Sequence, residues 1–246
     1  LKFFIAIKIR INNESISFFF ALFLHVKISD NMGRKKSLKL SEVDNLPNVF
    51  PHKFGRVEEK IEAYFGNGKP LVLEIGCGNA DYSRALALAN GKRNYIGIDI
   101  RGARIWNASQ KVLSEKLNNT AFVIARAEFI NEIFPSFKFE EIWIPFPDPF
   151  PKKRSASRRL ISPGFIERYR KIASPGATIN LKTDDTGLYE YGLEVLSAES
   201  VKIIKRSADL YSESNLKFEE KIKTKYELQH LAEGKKIKLI SFTFTV

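Results

Sequence analysis

Two short segments hold the residue types best suited to chemistry. The first reads Glu74-Ile75-Gly76-Cys77-Gly78-Asn79-Ala80 and begins inside the apolar run LVLEI at 71–75. Two glycines so spaced allow a tight turn and a close approach of backbone to a ligand. A dinucleotide site needs a further glycine at the sixth position of G-x-G-x-x-G. Asp81 stands there instead, and an acid beside a pyrophosphate is unfavourable. Glu74, two residues before the first glycine, favours a ligand that carries positive charge. The next apolar run ends in Asp99, twenty-five residues after Glu74, where a carboxylate can accept hydrogen bonds from both hydroxyls of a ribose.

A ribose and a positive charge together describe S-adenosylmethionine, with its ammonium and sulfonium groups. The competing reading of Glu74 is a solvated acid at a strand end. Cys77 reads as a small buried filler rather than a reactive thiol. The second segment is Pro145-Phe146-Pro147-Asp148-Pro149-Phe150-Pro151-Lys152-Lys153-Arg154. Its four prolines restrict φ and hold a loop open without ladder hydrogen bonds. Asp148 sits in that stiff frame, and Lys152, Lys153, Arg154, Arg158 and Arg159 follow. One acid beside five cations fits a site that takes a nucleic-acid base while the cations hold phosphates. A turn-forming aspartate on a solvated basic face is the plainer alternative. Phe150 and Tyr226 are candidates to stack on a base or to pack in the core. His52 and His230 read as surface or packing residues.

These segments must be carried by a scaffold, and the hydrophobic pattern describes one. Strand-like runs at 71–75, 94–99, 121–125, 141–146 and 177–183 alternate with helical patterns at 56–65, 81–90, 103–117, 164–173 and 187–198. Past Val201 the pattern is mixed, with a helix expected near 224–233 and a final strand in KIKLISFTFTV. Alternating strands and helices mean βαβ units and a mostly parallel sheet with helices on both faces. In such sheets ligands bind at the carboxyl ends of strands, which is where both segments fall. The cofactor loop and the strand-end acid resemble those of S-adenosylmethionine-dependent methyltransferases with a Rossmann-like α/β sheet. That fold implies about seven strands, the last antiparallel.

The second segment narrows the resemblance. It is similar to the PDPWPKKRH…KRR signature of the tRNA (guanine-N7-)-methyltransferases. Leu181-Lys182-Thr183-Asp184 resembles that family's TD motif, and Thr224-Lys225-Tyr226-Glu227 its T-x-x-E motif; the likeness spans roughly residues 44 to 244. It implies methyl transfer from S-adenosylmethionine to N7 of a guanine in tRNA, by family the guanosine at position 46 of the variable loop. It implies Asp148 as the catalytic acid and a cofactor contact, with Glu74, Gly76, Gly78, Asp99 and Arg126 at the cofactor. Lys152, Asp184, Thr224, Lys225, Tyr226 and Glu227 would meet the tRNA or its target base. No metal is expected. The sequence departs from the family at Phe150 for Trp, Ser155 for His, Ala80 for the third loop glycine, and Arg126 where Asp or Asn is usual. The change at Ala80 reads as mild if that residue opens the helix. Two other classes compete: a methyltransferase acting on another nucleic-acid base, and an RNA-binding module on the same fold without catalysis.

Composition agrees with a nucleic-acid partner. The 246 residues carry 40 Lys and Arg against 28 Asp and Glu, a net charge of +12. One cysteine excludes a disulfide framework and points to a reducing compartment, so a cytoplasmic place of action without a membrane is expected. Residues 1–31 read differently from the rest, with six of the twenty phenylalanines and no Gly or Pro. Translated upstream sequence, with the working chain starting at Met32, is the favoured reading. A signal or anchor and an amphipathic appendage are the others. Residues 32–246 then form a single methyltransferase domain with a basic arm at 33–39. Leaving out 1–31 removes four basic and two acidic residues, so the charge stays near +10.

Overall fold

The computed structural model describes residues 36–245; the expectation for residues 1–31 lies outside them. Among the described residues one sheet holds eight strands: β1 (Val49–Pro51), β2 (Leu71–Ile75), β3 (Asn94–Asp99), β4 (Thr120–Ile124), β5 (Phe139–Pro145), β6 (Ala173–Thr183), β7 (Val201–Ser207) and β8 (Lys238–Phe244). Their spatial order is β1-β4-β3-β2-β5-β6-β8-β7. The pairs from β1 through β6 are parallel, while β8 runs antiparallel to both β6 and β7. The expected parallel sheet with a final antiparallel strand is therefore present. Two strands were not expected, β1 and β7, and they are the two edges.

The helices that serve the site are α1 (Val57–Phe65), α2 (Asp81–Ala89), α3 (Gly102–Ser114), α4 (Ile130–Ile133), α5 (Pro163–Ile172), α6 (Thr186–Ala198), α7 (Phe218–Lys221) and α8 (Lys225–Ala232). Neighbouring residues of a strand serve opposite faces of the sheet, because side chains alternate across the pleat. On β5, Ile142 and Ile144 join a core with Ile61, Phe165, Tyr169 and Leu188, contributed by α1, α5 and α6. Trp143, between them, joins Tyr82 and Leu86 of α2 on the other face. Burial on both faces is what lets these strands read as unbroken apolar runs.

Helix starts are marked by specific residues. Pro163 opens α5, where its missing N–H costs nothing. Asp185 caps α6 by accepting from the Leu188 N–H at 2.6 Å. Thr224 and Glu227 form a reciprocal capping box on α8.

Candidate active site

The chain runs outward through β2, β3 and β4, then returns to lay β5 beside β2. That reversal is the switch point at which α/β sheets bind ligands. Because β2 to β6 are parallel, Glu74, Asp99, Arg126, Asp148 and Asp184 all lie at or just past the carboxyl ends of strands, on one edge.

The glycine loop turns sharply out of β2. Gly76 and Gly78 take φ of +75° and +56°. A Cβ at Gly76 would meet nothing within 4 Å, and one at Gly78 only Arg104 Nη1 at 3.9 Å and the Gly76 carbonyl oxygen at 4.0 Å. The loop is thus open on the side where a ligand would lie. Gly76 and Cys77 N–H groups donate to the Ile98 carbonyl, and the Gly78 N–H donates to Asp99 Oδ2 at 2.9 Å. Asp99 Oδ1 accepts from the Arg101 N–H at 2.7 Å. Each carboxylate oxygen keeps a second lone pair. Cys77 is buried against Gly97, where any Cβ would come within 2.8 Å of its sulfur, so it fills space as expected. Ala80, the family departure, opens α2 but does so at φ +55°, a left-handed conformation costly for a residue with a Cβ. The substitution is therefore less mild than a helix-opening position suggests.

Glu74 is only 3% exposed and accepts from both the N–H and the hydroxyl of Ser83 on α2. Burial pushes its carboxyl up to about 8, against the opposing Ser83 hydrogen bonds. It is not the solvated strand-end acid of the alternative reading. Arg126 is exposed at the surface and pairs with Glu128 at 2.8 Å.

Asp148 stands exposed in the proline loop after β5. The loop is bracketed by two left-handed phenylalanines, Phe146 at φ +52° and Phe150 at φ +43°. Such residues persist only where surrounding structure holds them. At the near end the Phe146 N–H donates to the Lys182 carbonyl at 2.7 Å. At the far end Arg159 donates to the carbonyls of Pro149 and Phe150 at 3.0–3.2 Å. Of the five cations expected at phosphates, two have partners within the protein. Arg159 is engaged with the loop, and Arg158 lies 4.4 Å over the Phe150 ring. Lys152, Lys153 and Arg154, which follow Asp148 in the chain, are exposed.

The remaining residues meet where β6 ends and α8 begins. Lys182 is fully buried; its ammonium lies 2.7 Å from Glu227 Oε1 and donates to Tyr211 Oη and to the Glu220 and Ile222 carbonyls. Burial lowers its pKa, opposed by the Glu227 carboxylate. Glu227 also accepts from the Tyr211 hydroxyl and, at 3.3 Å, from the Thr224 N–H. With 0% exposure Glu227 has no solvent contact in this arrangement, held among Lys182, Tyr211 and Thr224. Thr224 Oγ1 accepts from the Glu227 N–H at 3.2 Å as the cap of α8.

Asp184 lies at the mouth. Its Oδ2 is 2.9 Å from His230 Nδ1 and 3.4 Å from Lys235 Nζ, and its carbonyl accepts from Lys238 Nζ at 3.1 Å. The His230 contact is close but lacks hydrogen-bond alignment. The same imidazole meets Phe146 edge-on at 6.0 Å. Tyr226 is half exposed and accepts from Arg104 Nη2 at 3.3 Å. The Lys225 N–H reaches Asp81 Oδ2 at 3.5 Å. The start of α8 therefore lies beside the glycine loop, with Arg104 between them. Sequence reading missed Arg104, Lys182 as a buried hub, and Tyr211, whereas His230, edge-on to Phe146 and beside Asp184, fits its reading as a surface or packing residue.

The open glycine loop, the Asp99 carboxylate and a buried acid at the strand end fit a nucleoside cofactor bearing positive charge. Among the described residues no cluster of His, Cys, Asp and Glu could hold a metal ion. No described helix is long and apolar enough to cross a membrane.

Comparison with known proteins names this arrangement. A family model described as "Putative methyltransferase" matches residues 68–240. The chain is 36% identical over 218 residues to the tRNA (guanine-N(7)-)-methyltransferase of Cytophaga hutchinsonii, covering 87% of this chain and 99% of that protein. It is 39% identical over 221 residues to the enzyme of that name from Christiangramia forsetii, covering 86% and 99%. Among solved structures, the 16S rRNA methyltransferase KamB aligns with a TM-score of 0.60 at 14% identity, over 77% of this chain and 94% of that one. At that identity the likeness concerns the fold, which is the Rossmann-like methyltransferase sheet. Matches to sequence relatives that run almost their whole length place this chain in the tRNA (guanine-N7-)-methyltransferase family, within the S-adenosylmethionine-dependent methyltransferases.

Proposed function

We propose that this chain transfers a methyl group from S-adenosylmethionine to N7 of a guanine in tRNA, and that residues 32–246 are its working unit. The near end-to-end match to enzymes of that name is the observation that carries the reading. When bound, S-adenosylmethionine supplies an electrophilic sulfonium methyl. Glu74, Gly76, Gly78 and Asp99 would hold it at the switch point. Guanine N7 presents an in-plane lone pair and carries no hydrogen, so no side chain has to remove a proton from it. As the N7–methyl bond forms and the methyl–sulfur bond breaks, positive charge moves onto the base. The Asp148 carboxylate would stabilise that charge or fix the guanine edge, so catalysis rests on placement and electrostatics. Lys152, Lys153 and Arg154 would meet phosphates beside it, Asp184 and Tyr226 would approach the base, and Lys225 would add charge at the mouth. A single cysteine, suited to a reducing compartment, and a tRNA substrate support a cytoplasmic place of action.

The test is labelled methyl transfer to tRNA that lacks the modification, followed by nucleoside analysis. Label in 7-methylguanosine is expected. Label in N6-methyladenosine or another base would move the chain to a different base specificity. RNA binding with no transfer would support the non-catalytic module.

A further inference from the structure

Arg159 belongs by sequence to a run of cations suited to phosphates, yet its guanidinium has other partners. Its Nε lies 3.1 Å from the Pro149 carbonyl oxygen and 3.2 Å from that of Phe150. Its Nη2 lies 3.0 Å from Phe150 O and 3.5 Å from Pro151 O. Its guanidinium carbon also lies over the Tyr191 ring of α6, 4.2 Å from the ring centre. Three consecutive carbonyls thus converge on one side chain. The chemistry of the loop explains why. Pro149 and Pro151 have no N–H, so this stretch cannot satisfy its own carbonyls in a ladder. A guanidinium offers five donors in a fixed plane and can serve several oxygens at once.

Arg159 is itself well anchored. Its N–H donates to Ala156 O at 3.1 Å and its carbonyl accepts from the Ser162 N–H at 2.9 Å. The next carbonyl, of Leu160, accepts from the buried Tyr169 hydroxyl at 2.8 Å. The far end of the Asp148 loop, including the left-handed Phe150, is therefore tied to α6, the helix that starts just after Asp184.

We infer that Arg159 is a positioning residue for methyl transfer: it clamps the backbone of Pro149, Phe150 and Pro151 to Tyr191 and so fixes where Asp148 stands, rather than contacting tRNA phosphate. The inference rests on the proposed reaction. A loop released at one end misplaces its carboxylate, and a displacement near 1 Å can cost about 10²-fold in rate.

The test uses the full chain with unmodified tRNA. Arg159→Lys keeps the charge but offers no planar fork, and Tyr191→Leu removes the ring contact while leaving the charge. Both are expected to lower kcat, Arg159→Lys by about 10- to 100-fold and Tyr191→Leu by less. KM for tRNA, its salt slope and S-adenosylmethionine affinity should stay near wild type. Full kcat in Arg159→Lys, or a log–log salt slope reduced by about one in Arg159→Ala with kcat intact, would identify a phosphate contact and overturn the clamp. If Arg159→Ala does not fold, Tyr191→Leu decides: kcat at the wild-type level overturns the clamp. Absence of 7-methylguanosine with wild-type protein would instead refute the reaction itself.

Discussion

Two carboxylates, Glu74 and Asp148, show how the same group is prepared for different work by its surroundings. Asp148 is exposed in a proline frame, free to meet a base. Replacing it with Asn keeps the shape and removes the charge. The expected result is a kcat lowered by about 10²-fold or more, the scale of losing one electrostatic contact to a transition state, with S-adenosylmethionine binding retained by calorimetry. Near-normal turnover would remove Asp148 from catalysis. Glu74 is enclosed, and its carboxyl is raised to about 8 by burial. It is therefore largely protonated at neutral pH without ligand. A cationic ligand favours the ionised form, so binding should expel a proton. Affinity should then rise with pH and level off above about 8, and Glu74→Gln should lose that component. Calorimetry in buffers of different ionisation enthalpy reads the proton directly. For stability the sign is opposite: a raised carboxyl binds its proton more tightly when folded, so it favours the fold below the ordinary carboxylate range and progressively less as pH climbs through 8.

At the scale of elements, Lys182 and Glu227 join β6 to α8 through a pair with no solvent contact. Removing one member strands the other as an uncompensated buried charge. Lys182→Met alone is expected to cost about 3–5 kcal/mol, and the double change Lys182→Met with Glu227→Leu clearly less. Urea unfolding of the two variants measures the difference, and equal losses would show that the pairing itself is not the issue. This hub was not legible in the sequence. Lys182 lies within the apolar run ATINLKT, and nothing local announces that a lysine there is buried under α7 and α8. Glu227 reads as a substrate contact from the T-x-x-E motif, whose spacing is also that of the capping box it forms. The loops fared better: Gly76, Gly78 and Asp99 were readable because a positive φ and a strand-end carboxylate leave residue-type signatures. The edge strands were not. β1 is three residues long, and β7 alternates exposed Lys202, Ile204 and Arg206 with half-buried neighbours, a pattern that protects an edge from pairing with other chains but blurs its hydrophobic signal.

For the whole molecule the basic surplus is the main expectation about tRNA. Exposed Lys152, Lys153 and Arg154 follow Asp148 closely in the chain. Should four or so phosphates be neutralised, affinity for tRNA falls by about 10²-fold between roughly 50 and 200 mM salt. A filter-binding titration at several salt concentrations gives the slope, and a flat response would contradict an extended RNA footprint.

The sheet order also has a consequence for synthesis. β8 is the last of the described strands in chain order, yet it fills the slot between β6 and β7. Until residues 238–244 leave the ribosome, β6 keeps an unpaired edge and β7 has no neighbour in the sheet. β8 also brings Lys238, whose ammonium holds the Asp184 carbonyl. A chain without β8 consequently lacks the finished mouth of its own site, and an enzyme whose substrate is present throughout translation acquires competence only after residues 238–244 have emerged.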